Sequence, residues 1–432
     1  MKRILYGALI CALIVGVSIP LWPASVSAAG TAIYVDDDFN DDPERHMWDT
    51  IQEGIDDATD GAGDTVYVYA GTYNENVVAD KSNLTIHGES SSLVTVDGNG
   101  GDHTIKMTAD DVTVRQLKVT GATGTGFAGV YWGNVQNGYL DHCDITGNYF
   151  GVLLNSIYNQ TIQCNDIHNN SNNGIQVSDS TLKDLTMNDI YNNRDGISLI
   201  NSSKITIWYN KSYSNSRYGI YVDSLSYEND IYLNDFFDNT AGNGYSDRFA
   251  DDNNWETPNK SQWFWYCYGG DPYSSFRGNY WGDYGGVDVS PLDGIGDTSH
   301  PLGSEADSYP LISSYTNYPM TYPLETCPGS PVPECTAEVA PPSPPAPPGG
   351  CFIATAAYGT ASAAEIDVLR AFRDEVLLES TVGSQLVEWY YQTSPPVADF
   401  ISENYVLRTL VREFVVDPIA SLVEVTGSLW RD

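Results

Sequence analysis

Four sets of side chains in this chain could do chemistry. Tyr139-Leu140-Asp141-His142-Cys143-Asp144 packs carboxylates, an imidazole and a thiol into six residues. Asp141 in that run is a candidate cation ligand or catalytic acid, provided a second acid faces the same way. His142, Cys164 and Met187 follow one another at steps of 22 and 23 residues and offer the soft donors that copper would need. Asp283, Asp288, Asp293 and Asp297, with Asp307 beyond them, lie in a Gly-rich stretch that could wrap Ca²⁺, or could simply make turns that cap the end of the fold. The last set is aromatic: Tyr131, Trp208 and Tyr221, then Trp263 and Trp265. Flat rings flanked by Asn and Asp suit sugar stacking, although aromatic residues are also good strand formers that bury themselves.

A repeat decides which way these groups face. Gly129-Val130, Gly151-Val152, Gly174-Ile175, Gly196-Ile197 and Gly219-Ile220 are spaced by 22, 23, 22 and 23 residues. Asn148, Asn170, Asn193 and Asn215 keep the same steps, and a second series runs Asn165, Asn188, Asn210 and Asn234. Such a period marks a solenoid, in which each repeat buries its apolar face only on its neighbours. Between the polar corners, side chains alternate with period two, the strand signature. Leu140, Ile162, Leu185, Ile207 and Ile231 form one inward column; Val130, Val152, Ile175, Ile197 and Ile220 form a second; Trp132, Leu154, Val177, Leu199 and Val222 form a third. The fold class is therefore mainly β, a right-handed parallel β-helix of about 22–23 residues per coil, with Asn side chains stacked as a ladder. Asn210 is then a rung rather than a glycosylation acceptor. Continued alternation turns His142, Cys164 and Met187 inward as core filling and Asp141 outward. The outward positions after Asp141 are Gln163, Thr186 and Trp208, not acids.

The remaining regions follow from composition. Residues 1–29 read as a secretory signal, with Met1-Lys2-Arg3, an apolar run from Ile4 to Ile19 and the small-residue site Val26-Ser27-Ala28-Ala29. Residues 30–62 form an N-terminal cap whose Trp48, Ile51, Ile55 and Ala58 keep helical spacing. The repeats occupy 63–250, an aromatic and Asp-rich closing region 251–325, and a Pro-rich linker 326–350. Residues 351–432 carry helical stripes, Ile366, Leu369, Phe372 and Val376 among them, and make a small packed unit or one that docks on the envelope. No later stretch is long and apolar enough for a membrane span. With 57 acidic against 20 basic residues the net charge is −37, which excludes nucleic acid and acidic lipid as partners. Six cysteines follow the signal; Cys327–Cys335, closing a short loop, is the expected bridge.

Particular motifs carry resemblances. Ile33-Tyr34-Val35-Asp36-Asp37-Asp38, Thr50-Ile51-Gln52 and Gly71-Thr72-Tyr73 resemble the start of pectin-lyase-like β-helix proteins. Gly278-Asn279-Tyr280-Trp281-Gly282-Asp283-Tyr284, Asp293-Gly294-Ile295-Gly296-Asp297-Thr298 and Tyr309-Pro310-Leu311 resemble the closing motif of NosD-like repeat proteins. Cys351-Phe352-Ile353-Ala354-Thr355-Ala356-Ala357-Tyr358-Gly359 resembles a C-terminal CFI-box. The first two imply an exported β-helix, with copper delivery among the roles known for NosD-like proteins. The residues themselves predict no copper site, since the soft column is read as core. Pectin-lyase-like enzymes use Ca²⁺ with a base, or clustered Asp residues, and their catalytic signatures are missing apart from Asp141. The expectation is a secreted or surface protein that binds a polysaccharide or envelope glycan without cutting it. The alternatives are a polysaccharide lyase or hydrolase, a surface-layer spacer, or a NosD-like copper-maturation factor.

Overall fold

The computed structural model describes residues 30–319, apart from residues 40, 182–183, 249–251, 259–264 and 290, together with Cys335, Pro341, Pro342 and scattered helical positions between 369 and 425. The signal segment, Trp263, Cys327, Cys351 and the CFI-box motif lie outside the described residues. The chain divides after Pro341: one unit holds residues 29–341, and Pro342 opens the other, whose described part includes the helix Asp417–Val425.

The first unit is a parallel β-helix. Three sheets of ten, nine and eight strands run along it, and successive coils contribute one strand to each. The predicted columns are the observed pairings. Leu140 pairs with Ile162, Ile162 with Leu185, Leu185 with Ile207 and Ile207 with Ile231 in sheet 1. Val130–Val152–Ile175–Ile197–Ile220 runs the same way through sheet 3. All these side chains are fully buried in one continuous core. The cap differs slightly from expectation. Ala32–Val35 is already a sheet 1 strand, and the helix Ile51–Asp57, capped by the Thr50 side chain, covers the open end with Ile51 and Ile55.

Corners, rather than strands, set the geometry. Between sheets 1 and 2 the residues Gln116, His142, Cys164, Met187, Tyr209 and Leu233 all have φ between 52° and 59°. A left-handed residue without a glycine costs about 1–2 kcal/mol. From Cys164 onward the asparagine that follows offsets this. Asn165 donates its amide to the Leu140 carbonyl and to Asn188 Oδ1 at 2.9 Å, while Asn188 Oδ1 also accepts the Asn165 backbone N–H. Asn188, Asn210, Asn234 and Asn279 repeat the pattern. A second ladder runs Asn148, Asn170, Asn193, Asn215, Asn239 and Asn243 along the corner between sheets 2 and 3.

Each ladder is directional, so its last amide needs an acceptor. Asn279 ends on Asp307, Asn243 on Asp283, and the shorter Asn229–Asn253 series on Glu305. A carboxylate accepts without donating, which is what the end of such a chain requires. The closing region is therefore a terminator. Asn279 and Trp281 continue the last coil, Trp281 stacks on Phe236, and the hairpin His300–Leu302/Glu305–Asp307 brings up two of the three acids. Burial pushes the Asp307 carboxyl up to about 7, against donors from Asn279, Trp281 and Tyr309; it pushes Asp235 up to about 6 against donors from Ser314 and Tyr315.

Two outcomes follow. Replacing Asn210 by Ala removes the acceptor of the Asn188 N–H and the amide that serves the Leu185 and Trp208 carbonyls in a dry corner, and should cost roughly 3 kcal/mol or more in urea unfolding, since each orphaned buried group costs about 1–3. Asp307 and Asp235 have folded pKa values above the ordinary carboxylate value, so the folded state binds protons more readily than the unfolded chain. Their contribution to stability is largest near pH 4 and declines as pH rises to about 7. Thermal midpoints should fall across that window, and Asp307→Asn should flatten the upper part of the fall.

Candidate functional site

The corner between sheets 1 and 2 corrects the reading of the soft column. A left-handed residue breaks the period-two alternation, so His142, Cys164 and Met187 lie outside the main core and are only partly buried, Met187 packing against a second hydrophobic cluster. Cys164 instead forms a disulfide with Cys335, which overturns the expected Cys327–Cys335 bridge. The Cys335 sulfur also lies 3.7 Å from the Met187 carbonyl, placing residue 335 against the next coil. His142, Cys164 and Cys335 bring their ligand atoms within 4.8 Å of one another. Asp141, the residue singled out as a catalytic candidate, is buried behind this group. It meets His142 Nδ1 at 2.5 Å and accepts from Arg115 at 3.1 Å and Gln163 at 3.5 Å. Its role here is to orient the imidazole, the arrangement found behind metal-binding histidines.

Most of the predicted aromatic set is occupied internally. Tyr131 stacks on His103 at 4.2 Å. Tyr221 bonds Asp247, lies under Arg217 and stacks with Tyr218 and Tyr245. Trp208 sits between Tyr209 and Tyr232. Trp265 opens the hairpin Trp265–Tyr268/Asp271–Ser274. The ring that stands out is Tyr158, 64% exposed, which sequence reasoning passed over because it lies in a turn between strands. It projects at a cleft of about 690 Å³ on the corner between sheets 3 and 1, lined by Asp110, Asn134, Gln136, Asp179, Thr181 and Asn201 among others. The lining includes the left-handed residues Asn134, Ser156, Asp179 and Asn201 and the bridged series Gln136, Tyr158 and Thr181.

The outer face of sheet 2 carries a second constellation that was not foreseen. Lys118, Asp144, Asp166 and Asp189 share one outward column; Thr146, His168, Tyr191 and Tyr213 share the next. Rings reach back diagonally by one coil. His168 meets Asp144 at 3.0 Å, and Tyr191 and Tyr213 hydrogen-bond Asp166 and Asp189. Burial of Asp144 is outweighed by hydrogen bonds from His168 and Lys118, so its pKa falls. That of Asp166 rises through partial desolvation and the neighbouring Asp189 and Asp144 charges. The rings His168, Tyr191, Tyr213 and Phe237 stack 4.8–5.1 Å apart, so their faces are spent on one another. The signal available in sequence is the Asp166-Ile167-His168, Asp189-Ile190-Tyr191 series, directly after the ladder asparagines Asn165 and Asn188.

Asp288 and Asp297 lie near enough to Asp293 for their charges, after burial, to help raise its pKa, while Asp283 serves elsewhere. Asp283 serves Asn243, Asp288 accepts from Gly294, Asp293 from Ile295 and Asp297 from Val289. Among the described residues no three of them bring ligand atoms within 4.8 Å of one another, and the contacts they make are those of turns and of a ladder end.

The fold is a parallel β-helix, with its clusters of donor and titratable side chains at the corners and on the outer face of the sheets. Residues 59–286, more than half of the chain, match the family described as periplasmic copper-binding protein (NosD), and the chain belongs to that family. No curated protein matches it. Solved structures similar to it include pectin methylesterase PemA from Erwinia chrysanthemi, 12% identical over 46% of this chain and 80% of that one, TM-score 0.28. Another is the periplasmic alginate epimerase AlgG, 16% identical over 43% and 46%, TM-score 0.31. The A-module of the Azotobacter vinelandii mannuronan C-5 epimerase AlgE4 is 17% identical over 44% and 73%, TM-score 0.31.

The family description implies copper. The donors at the corner, two cysteine sulfurs and an imidazole backed by a carboxylate, fit a soft cation when the sulfurs are thiolates. Cys164, Cys335 and His142 are the residues that would hold it, and soft-ligand binding is the chemistry such an ion supplies there.

Proposed function

We propose that this is an exported β-helix protein that binds a neutral polysaccharide or envelope glycan along the cleft between sheets 3 and 1. The observation that carries this reading is the exposed Tyr158 ring in a cleft lined by amide, hydroxyl and carboxylate groups. An apolar face for stacking beside side chains that donate and accept hydrogen bonds is the requirement for recognising a sugar ring. The bridged series Gln136, Tyr158 and Thr181 crosses successive coils, and Ser203 and Tyr227 continue the same corner, giving a groove that runs parallel to the axis. A net charge of −37 disfavours a polyanionic chain, so a neutral one is the expected ligand. The original aromatic candidates Tyr131, Trp208, Tyr221 and Trp265 stiffen the sheets in this reading, and binding centres on Tyr158. Export agrees with the periplasmic family description and with the absence, among the described residues, of any helix long and apolar enough to cross a membrane.

One observation favours a second reading. Asp144 and Asp166 occupy adjacent coils, with strands about 4.8 Å apart, and their pKa values are displaced in opposite directions beside His168. Two carboxyl groups at nearly that separation with divergent acidity are what retaining glycoside hydrolysis uses.

Incubation with a panel of neutral polysaccharides, scoring retention and product together, separates the two. Binding predicts retention without product, and Tyr158→Ala should weaken it roughly tenfold, the scale of one stacking anchor. Silence across the panel would remove the binding reading. Hydrolysis predicts reducing ends that vanish in Asp166→Asn and His168→Ala; product persisting in both variants would exclude that face as the catalytic site.

A further inference from the structure

Cys164 stands at a left-handed corner of the solenoid, while Cys335 comes from 171 residues later and is solvent-exposed, so a small dithiol can reach the bond between them. His142 occupies the same corner one coil earlier, its Nδ1 held by Asp141, which makes Nε2 the ligating nitrogen. Arg115 Nη2, 3.1 Å from Asp141, offsets the charge of that carboxylate.

We propose that this corner is a redox-gated Cu(I) site: closed as the Cys164–Cys335 disulfide, and open as two thiolates with the His142 imidazole. It goes beyond the glycan reading and does not depend on it. Two sulfurs and one nitrogen suit a three-coordinate soft cation, whereas structural Zn²⁺ takes four ligands and only three converge here among the described residues. Opening needs little rearrangement. Thiolates each about 2.3 Å from a shared metal stand about 4 Å apart, within the present spread of the three ligand atoms.

The electron count closes with a dithiol reductant. It gives two electrons and two protons to the disulfide and becomes a disulfide itself, leaving Cys164 and Cys335 as thiols. Cu⁺ then displaces both thiol protons as two copper–sulfur bonds form, and the neutral imidazole adds its lone pair. In reverse, a disulfide oxidant takes two electrons from the thiolates, is reduced to two thiolates, and the re-formed Cys164–Cys335 bond expels Cu⁺. Copper release is thereby tied to thiol oxidation rather than to a change in the solenoid.

The test titrates the full chain with Cu(I) against a chromophoric Cu(I) chelator, before and after mild dithiol reduction. X-ray absorption provides the ligand count, and far-UV circular dichroism checks the fold. The expected result is one tightly held Cu(I) in the reduced form with a two-sulfur, one-nitrogen shell, and none at this site in the oxidised form. Cys335→Ser, whose side chain lies outside the core, should abolish the reduction-dependent ion, and Cys351→Ser should retain it. His142→Ala should weaken binding on the order of tenfold or more and remove the nitrogen from the shell. The proposal is overturned by equal copper uptake in oxidised and reduced chain, by unchanged uptake in Cys335→Ser, or by a reduced form that takes Zn²⁺ but not Cu(I).

Discussion

Everything outside the core depends on how the chain turns corners without glycine. Between sheets 1 and 2 each coil turns within two residues, and it does so through a left-handed conformation that ordinary side chains resist. From Cys164 onward the following asparagine makes this tolerable by joining backbone and side-chain groups of three coils in one buried rung. Because neighbouring coils are related by near-translation, the same rung works at every level, and the polarity of the amide gives the ladder a direction. A directional chain of donors cannot simply stop inside a protein. It stops here on Asp307, Asp283 and Glu305, which explains why a region so rich in acids closes the solenoid.

The same corner decides what the sequence could reveal. Strand positions were legible: the columns beginning at Leu140, Val130 and Trp132 pair as their spacing requires, and Asn210 is a rung. Period-two alternation then failed at the residue where it was pushed through a corner. His142, Cys164 and Met187 were assigned to the core by parity, yet a left-handed residue resets parity and turns its side chain out of the main core. Contacts made through space were beyond reach. Nothing in local spacing pairs Cys164 with a cysteine 171 residues away, and the short-loop alternative was the natural inference. Tyr158 was missed for a related reason, since turn residues break the repeat that made the other aromatic residues conspicuous.

Placement of the aromatic rings shows how exposure and availability part company. A ring on an outward column meets the equivalent ring one coil away at nearly the stacking distance, so identical or similar residues in consecutive coils satisfy each other. His168, Tyr191, Tyr213 and Phe237 do this, as do Tyr218, Tyr221 and Tyr245. A ring keeps its face only where its column neighbours are small and polar. Tyr158 meets that condition between Gln136 and Thr181. On a solenoid, a recognition site is therefore marked by a break in a column rather than by its continuation.

That argument extends to the sulfur corner. The column runs Gln116, His142, Cys164, Met187, Tyr209 and Leu233; Tyr209 and Leu233 are buried in a second cluster with Tyr266, Leu311 and Tyr315, and Met187 packs against it. Of these only His142, Cys164 and Met187 stay partly open, and each carries a nitrogen or sulfur donor. Gln163 and Arg115, on the neighbouring outward column, hold Asp141, and Asp141 holds His142. A residue that only filled space would need no such support. The corner spends a buried carboxylate and an arginine on fixing one imidazole, which is a cost that packing alone does not justify and that ligand binding does.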